Sequence, residues 1–178
     1  FLTATYGPGW RTPDPAYKFE TPRETITRFN GWFRGMRRGR AGWHGYFKRI
    51  RNRPMRSSKL ARQLAQANPQ AQLFVDIGCG RGADVSLFAD RGVRAIGLDY
   101  QPYAYAAEAE RRGDDALVDF QLFNLLELRH VLAVSAWVAR MPGPRVIISR
   151  HVVERIGPNG RANLLLAARM MLAGTNDP

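Results

Sequence analysis

The apolar run Leu73-Phe-Val-Asp-Ile77 passes directly into Gly78-Cys-Gly-Arg-Gly82, and few folds accept such a sequence. A short apolar run closed by glycines reads as a buried parallel strand. Glycines at alternate positions let the main chain turn tightly and approach a ligand. A helix that starts just beyond them adds free N–H groups and a partial positive charge. A second apolar run, Ala95-Ile-Gly-Leu98, ends in Asp99, where a carboxylate can accept both hydroxyls of a ribose.

Around this unit the pattern alternates. A helix is predicted from a Ser57 or Ser58 cap through Leu60 and Leu64 to Asn68-Pro69, ahead of the strand Leu73–Ile77. Then follow a helix over Ala83–Arg91, a strand over Arg94–Leu98, a helix over Pro102–Arg112 and a strand over Ala116–Leu122. A helix over Leu125–Arg140, a strand over Arg145–Ser149 and a long helix from Val152 to Leu172 complete the series. Such alternation specifies an α/β fold, a Rossmann-like doubly wound parallel sheet. Its expected strand order is 3-2-1-4. Phe1 and Pro178 read as cut ends, so a fragment truncated to about four strands is expected, with residues 56–178 as its α/β part. The fourth strand would then be an open apolar edge, and a marginally soluble, poorly active fragment is expected.

Charge divides the chain unevenly. Residues 1–62 carry 15 Lys/Arg against 3 Asp/Glu, whereas residues 63–178 carry 12 of each. Residues 1–55 read as a basic, aromatic, loop-rich arm, punctuated by turns at Gly7-Pro8 and Pro13-Asp14-Pro15, with a short helix over Thr25–Phe33. Residues 34–56 read as either a solvated linker or a surface-lying segment. Residues 34–62 could meet an anionic polymer or a membrane surface, since Arg forks match phosphate oxygens. No helix-turn-helix, zinc or RNA-binding signature accompanies the charge, so nucleic acid is not the expected partner. Cys79 is the single cysteine, which excludes an internal disulfide or a cysteine-built zinc site, and no metal is expected. A cytoplasmic chain, peripheral to a membrane at most, is the expectation.

Glycine spacing alone leaves the cofactor open, because Gly78-x-Gly80-x-x-Ala83 also satisfies the dinucleotide pattern. Asp76 discriminates. Two residues before the first glycine, its charge opposes a pyrophosphate but attracts an amino group, and S-adenosylmethionine carries an ammonium and no phosphate. Asp76-Ile-Gly-Cys-Gly-Arg-Gly82 resembles motif I of the class I S-adenosylmethionine-dependent methyltransferases, and Gly97-Leu-Asp99 resembles their second motif. The resemblance covers residues 70–172. It implies that Asp76, Gly78, Cys79, Gly80 and Gly82 lie against the methionine portion of the cofactor, and that Asp99, with Tyr100 beside it, binds the ribose. It further implies that Asn124, followed by Leu125, meets the adenine. An Asp is commoner than Asn at that place, and Asn124 could equally cap the next helix. Cys79 reads as a small loop residue without thiol chemistry.

Methyl transfer needs alignment more than acid–base help, because the sulfonium is already activated. Arg150 and His151 follow the fourth strand, at the carboxyl end where such sheets place their sites. His151 is the candidate base and Arg150 the candidate holder of an acceptor carboxylate or phosphate. The alternative for His151 is to cap or pack the long helix. The acceptor is expected to be a small molecule or a glycan.

Tyr6-Gly-Pro-Gly-Trp-Arg-Thr-Pro-Asp14 resembles the closing segment of LicD/fukutin-like phosphotransferases. That implies a bifunctional parent with a sugar- or choline-phosphate transferase upstream. The alternative is an aromatic turn packed on the next domain. Two other functions stay open: an NAD-dependent oxidoreductase, and a catalytically silent cofactor-binding or scaffolding domain.

Overall fold

A computed structural model describes residues 8–9 and 40–173 of the 178-residue chain. The chain divides into two compact units, Phe1–Arg38 and Gly39–Pro178. In the first, residues 8–9 form a turn. The expected helix over Thr25–Phe33 lies outside the described residues.

Among the described residues the second unit holds ten elements. They are α1 (Arg40–Ile50), α2 (Lys59–Ala67), β1 (Leu73–Ile77), α3 (Ala83–Ala89), β2 (Arg94–Asp99) and α4 (Pro102–Arg112), then β3 (Val118–Leu122), α5 (Leu128–Ala139), β4 (Arg145–Ser149) and α6 (Pro158–Ala173). The four strands form one parallel sheet in the order β3-β2-β1-β4. Val75 of β1 stands between Ile96 of β2 and Ile147 of β4. The expected Rossmann-like α/β architecture and strand order are both observed.

Each face of the sheet has its own core, because successive side chains on a strand point to opposite sides. Leu73, Val75 and Ile77 pack with Ile96 and Leu98 against Val131 and Val138 of α5 and Leu164, Ala167 and Met171 of α6. On the other face Phe74, Ala95, Val146 and Ile148 meet Ala61, Val85, Phe88 and Tyr105. The Phe74 and Phe88 rings stack there at 3.8 Å and 7°.

Local chemistry sets the element ends. Ser58 caps α2, its hydroxyl accepting the Ala61 N–H at 3.0 Å. Pro102 opens α4, where its missing N–H costs nothing. Glu108 accepts hydrogen bonds from Ser86, Arg111 and Arg112, which bolts α4 to α3. Burial pushes this carboxyl upward, but those donors outweigh it and hold it below the usual range. Arg145, at the start of β4, donates to the carbonyls of Val138 at 3.1 Å, Met141 at 2.6 Å and Met171 at 2.8 Å. It thereby satisfies the carboxyl ends of α5 and α6 together.

Residues 40–50 of the basic run form helix α1, whose Phe47 is buried, which favours the surface-lying of its two readings over the solvated linker. Two further expectations are corrected. Helix α5 begins at Leu128 with Glu127 in the cap position, so Asn124 does not cap it. Helix α6 begins at Pro158 and not near Val152, because His151 takes a left-handed φ of 61° and Gly157-Pro158 restarts the chain. Neither a cap nor a packing role in α6 therefore falls to His151.

Candidate cofactor and acceptor site

The carboxyl ends of β1, β2 and β4 converge on the glycine loop. Gly78 has φ of 86°, and a Cβ there would overlap the Cγ2 atom of Val152, which lies in the loop after β4. Gly82, with φ of 81°, would place a Cβ 2.6 Å from the Phe120 ring. Both positions combine a left-handed backbone with a close neighbour, so glycine is required twice over.

Asp99 closes the loop from the side. Its Oδ2 accepts the Gly80 N–H at 2.8 Å and its Oδ1 accepts the Gln101 N–H at 2.8 Å. Burial raises its pKa, while the amides of Gln101, Gly80 and Tyr100 draw it back. An ionised carboxylate offers about four acceptor sites, so lone pairs remain for ribose hydroxyls. Tyr100 beside it is half-buried.

Asp76 lies beneath the loop, 4% exposed. Burial first, then the neighbouring Asp84 charge, pushes its carboxyl up to about 8, with Arg150 opposing. Asp84, 3% exposed in the first turn of α3, accepts the Ser58 N–H at 2.5 Å and lies 3.8 Å from the Arg150 guanidinium. Two buried acids thus share one half-exposed cation. Such a place can take an ammonium group, whose charge would draw the Asp76 carboxyl into its ionised form.

Asn124 is 2% exposed. Its Oδ1 accepts the Leu126 N–H at 3.0 Å, while its Nδ2 is buried without a partner. An unspent amide donor at the end of β3 suits a ring nitrogen acceptor. Leu125 turns its side chain into the core. The buried Cys79 thiol is pushed well above its usual value by burial and then by the charges of Asp99 and Asp76, so it stays protonated and inert.

On the acceptor side the residues separate. Arg150 approaches the acid pair, but His151 is 73% exposed, with its Nδ1 3.3 Å from a Glu154 carboxylate oxygen. Sequence reasoning missed Asp84, Arg81 and Phe47. Arg81 donates to the main-chain carbonyls of Arg53 at 2.7 Å and Arg51 at 2.9 Å. The Phe47 ring lies 3.5 Å from where a Cβ on Gly80 would stand. His44 sets its ring 4.3 Å from that of Tyr103. Helical spacing of Trp43, Phe47 and Ile50 was the available signal for α1.

Residues 75–133 match the family model described as a methyltransferase domain. No curated protein matches the chain. Among solved structures, one described by the conversion of a disulfide bond into a thioacetal group during echinomycin biosynthesis is 21% identical, with a TM-score of 0.49, covering 65% of this chain and 45% of that one. Another is CalS10 with its cofactor bound, an amino pentose methyltransferase from Micromonospora echinaspora involved in calicheamicin biosynthesis. It is 18% identical, with a TM-score of 0.41, covering 89% of this chain and 54% of that one. The chain therefore spans about half the length of either structure.

Proposed function

We propose that this chain, whose residues 75–133 match the family model of a methyltransferase domain, belongs to a class I S-adenosylmethionine-dependent methyltransferase, holds S-adenosylmethionine across its glycine loop and presents the methyl group to a glycan or small-metabolite acceptor. The observation that carries this reading is the buried acid pair Asp76 and Asp84 under the loop. In this reading the methionine ammonium meets Asp76, the ribose hydroxyls meet Asp99, and the adenine meets the unspent Nδ2 of Asn124. A dinucleotide would bring its pyrophosphate against two acids, which disfavours the oxidoreductase alternative.

The sulfonium supplies the activated methyl group when the cofactor is bound, and the chain contributes position. Arg150, half-exposed at the end of β4, can hold an anionic group of the acceptor. His151 stands in solvent, so general base catalysis is not the main contribution of this loop. The same exposure favours a second reading, in which the domain binds cofactor without turnover beside another transferase. The parent is proposed to be a larger, cytoplasmic enzyme. Among the described residues no helix is long and apolar enough to cross a membrane.

Titration calorimetry with S-adenosylmethionine and separately with NAD tests the proposal. Heat with S-adenosylmethionine that Asp99→Ala abolishes supports it, and heat with NAD alone overturns it. Binding without methyl transfer to any glycan or metabolite offered would favour the silent domain.

A further inference from the structure

Residues 40–62 carry eight Lys/Arg and no Asp/Glu, and the next acid in the chain is Asp76. The side chains of Lys48, Arg49, Arg51, Arg53, Arg56, Lys59 and Arg62 are all exposed. Among the described residues, none of these seven forms a salt bridge with a carboxylate. A like-charged stretch of this density repels itself and raises the free energy of the compact state. In a solvated linker that cost is relieved by spreading out. Here the stretch is held in place.

The ties come from the site itself. Arg81, between two glycines of the loop, spends its guanidinium on the carbonyls of Arg53 and Arg51. Asp84 takes the Ser58 N–H at 2.5 Å, Phe47 packs beside Gly80, and His44 packs against Tyr103. Contacts from the glycine loop, α3 and α4 therefore pin a cationic turn at the mouth of the cofactor loop. Five of the seven exposed cations are arginines, whose planar forks suit bidentate contact with phosphate better than a point charge does.

We propose that the turn after α1 and its flanks form a docking rim for phosphate groups of the methyl acceptor, so that the acceptor is a phosphorylated molecule presented to the cofactor from that side. The inference rests on the methyltransferase reading for the word acceptor, whereas the anion site itself does not. The rim lies outside the residues assigned to the cofactor, and binding there anchors the acceptor by a group remote from the methylated atom.

The test uses the full chain and inorganic polyphosphate as the probe, with binding measured across a salt series with and without S-adenosylmethionine. Wild type should bind polyphosphate with strong salt dependence. The triple variant Arg51→Gln/Arg53→Gln/Arg56→Gln should lose at least about tenfold in low-salt affinity and show a shallower salt slope. It should bind S-adenosylmethionine as wild type does, which also certifies its fold. Because the rim is tied to the loop, cofactor should tighten polyphosphate binding by about fivefold, and polyphosphate should tighten cofactor binding equally. Arg81→Gln should keep polyphosphate binding but reduce this coupling. Unchanged polyphosphate affinity in the triple variant would overturn the rim. Equal binding of polyglutamate at matched charge would overturn its preference for phosphate, and much tighter binding of single-stranded DNA would reassign it to nucleic acid. Polyphosphate binding without any cofactor binding would instead count against the methyltransferase reading and leave the rim standing.

Discussion

Asp99 Oδ2 accepts the Gly80 N–H at 2.8 Å, so the acid that ends β2 also clamps the glycine loop. Asp99→Ala removes both the proposed ribose contact and the clamp, and it strands the Gly80 and Gln101 amides. It should weaken S-adenosylmethionine binding by more than about tenfold and cost about 1–3 kcal/mol of stability. Asp99→Asn keeps an acceptor oxygen and should lie between. Calorimetry and denaturant titration on both variants check this, and equal behaviour of the two would show that the clamp is idle.

If Asp76 meets the cofactor ammonium as proposed, binding should depend on pH. Its carboxyl is pushed up to about 8 by burial, while a bound ammonium favours the ionised form. Binding should therefore release a proton, and affinity should rise from pH 6 toward pH 7.5. Calorimetry in buffers of different ionisation heat reads the proton directly. Asp76→Asn should bind more weakly and without this slope.

The same group sets a stability trend of definite sign. Between its ordinary value of 3.8 and about 8 the folded chain keeps a proton that the unfolded chain has lost. The stability contributed by neutral Asp76 is complete below the lower value and disappears as pH rises through the upper one. Unfolding midpoints measured from pH 5 to pH 8.5 should fall with pH in the wild type and flatten in Asp76→Asn.

Phe120 fills the space that Gly97 leaves. A Cβ on Gly97 would stand 2.5 Å from this ring and 3.0 Å from the Cys79 sulfur. Gly97→Ala should destabilise by about 1–3 kcal/mol, and a second change, Phe120→Ala, should recover part of the loss. Gly82→Ala meets the same ring but also needs a left-handed backbone, so Phe120→Ala should rescue it less. Thermal melts of the four variants decide it.

Arg145 holds two helix ends to one strand. Arg145→Met keeps the stem and removes the donors to Val138, Met141 and Met171. A loss of about 1.5–3 kcal/mol is expected, with faster amide exchange at the ends of α5 and α6.

The sheet was legible because buried parallel strands are short apolar runs, as at Leu73, Arg94 and Arg145, and because the half-buried edge strand at Val118, which alternates apolar and polar residues, lies at the spacing that crossover helices demand. Helix α1 was obscured by Gly42 and Gly45 in its interior, each a poor helix former that burial of Phe47 overrides. The start of α6 was misjudged because apolar spacing continues through Val152 and Ile156, while the left-handed His151 that breaks it has no composition signal. Asp84 was invisible for a different reason. An acid in the first turn of a helix is ordinarily a solvated partner of the dipole, and only packing shows that this one is buried beside Asp76.

The contact between Val152 and the bare backbone of Gly78 couples the loop after β4 to the glycine loop. Bulk at one position is set against the absence of bulk at the other, so the two positions share one steric constraint. A larger side chain at position 152 should therefore press on the main chain of the glycine loop. Substitutions at positions 78 and 152 should not add in their effect on stability.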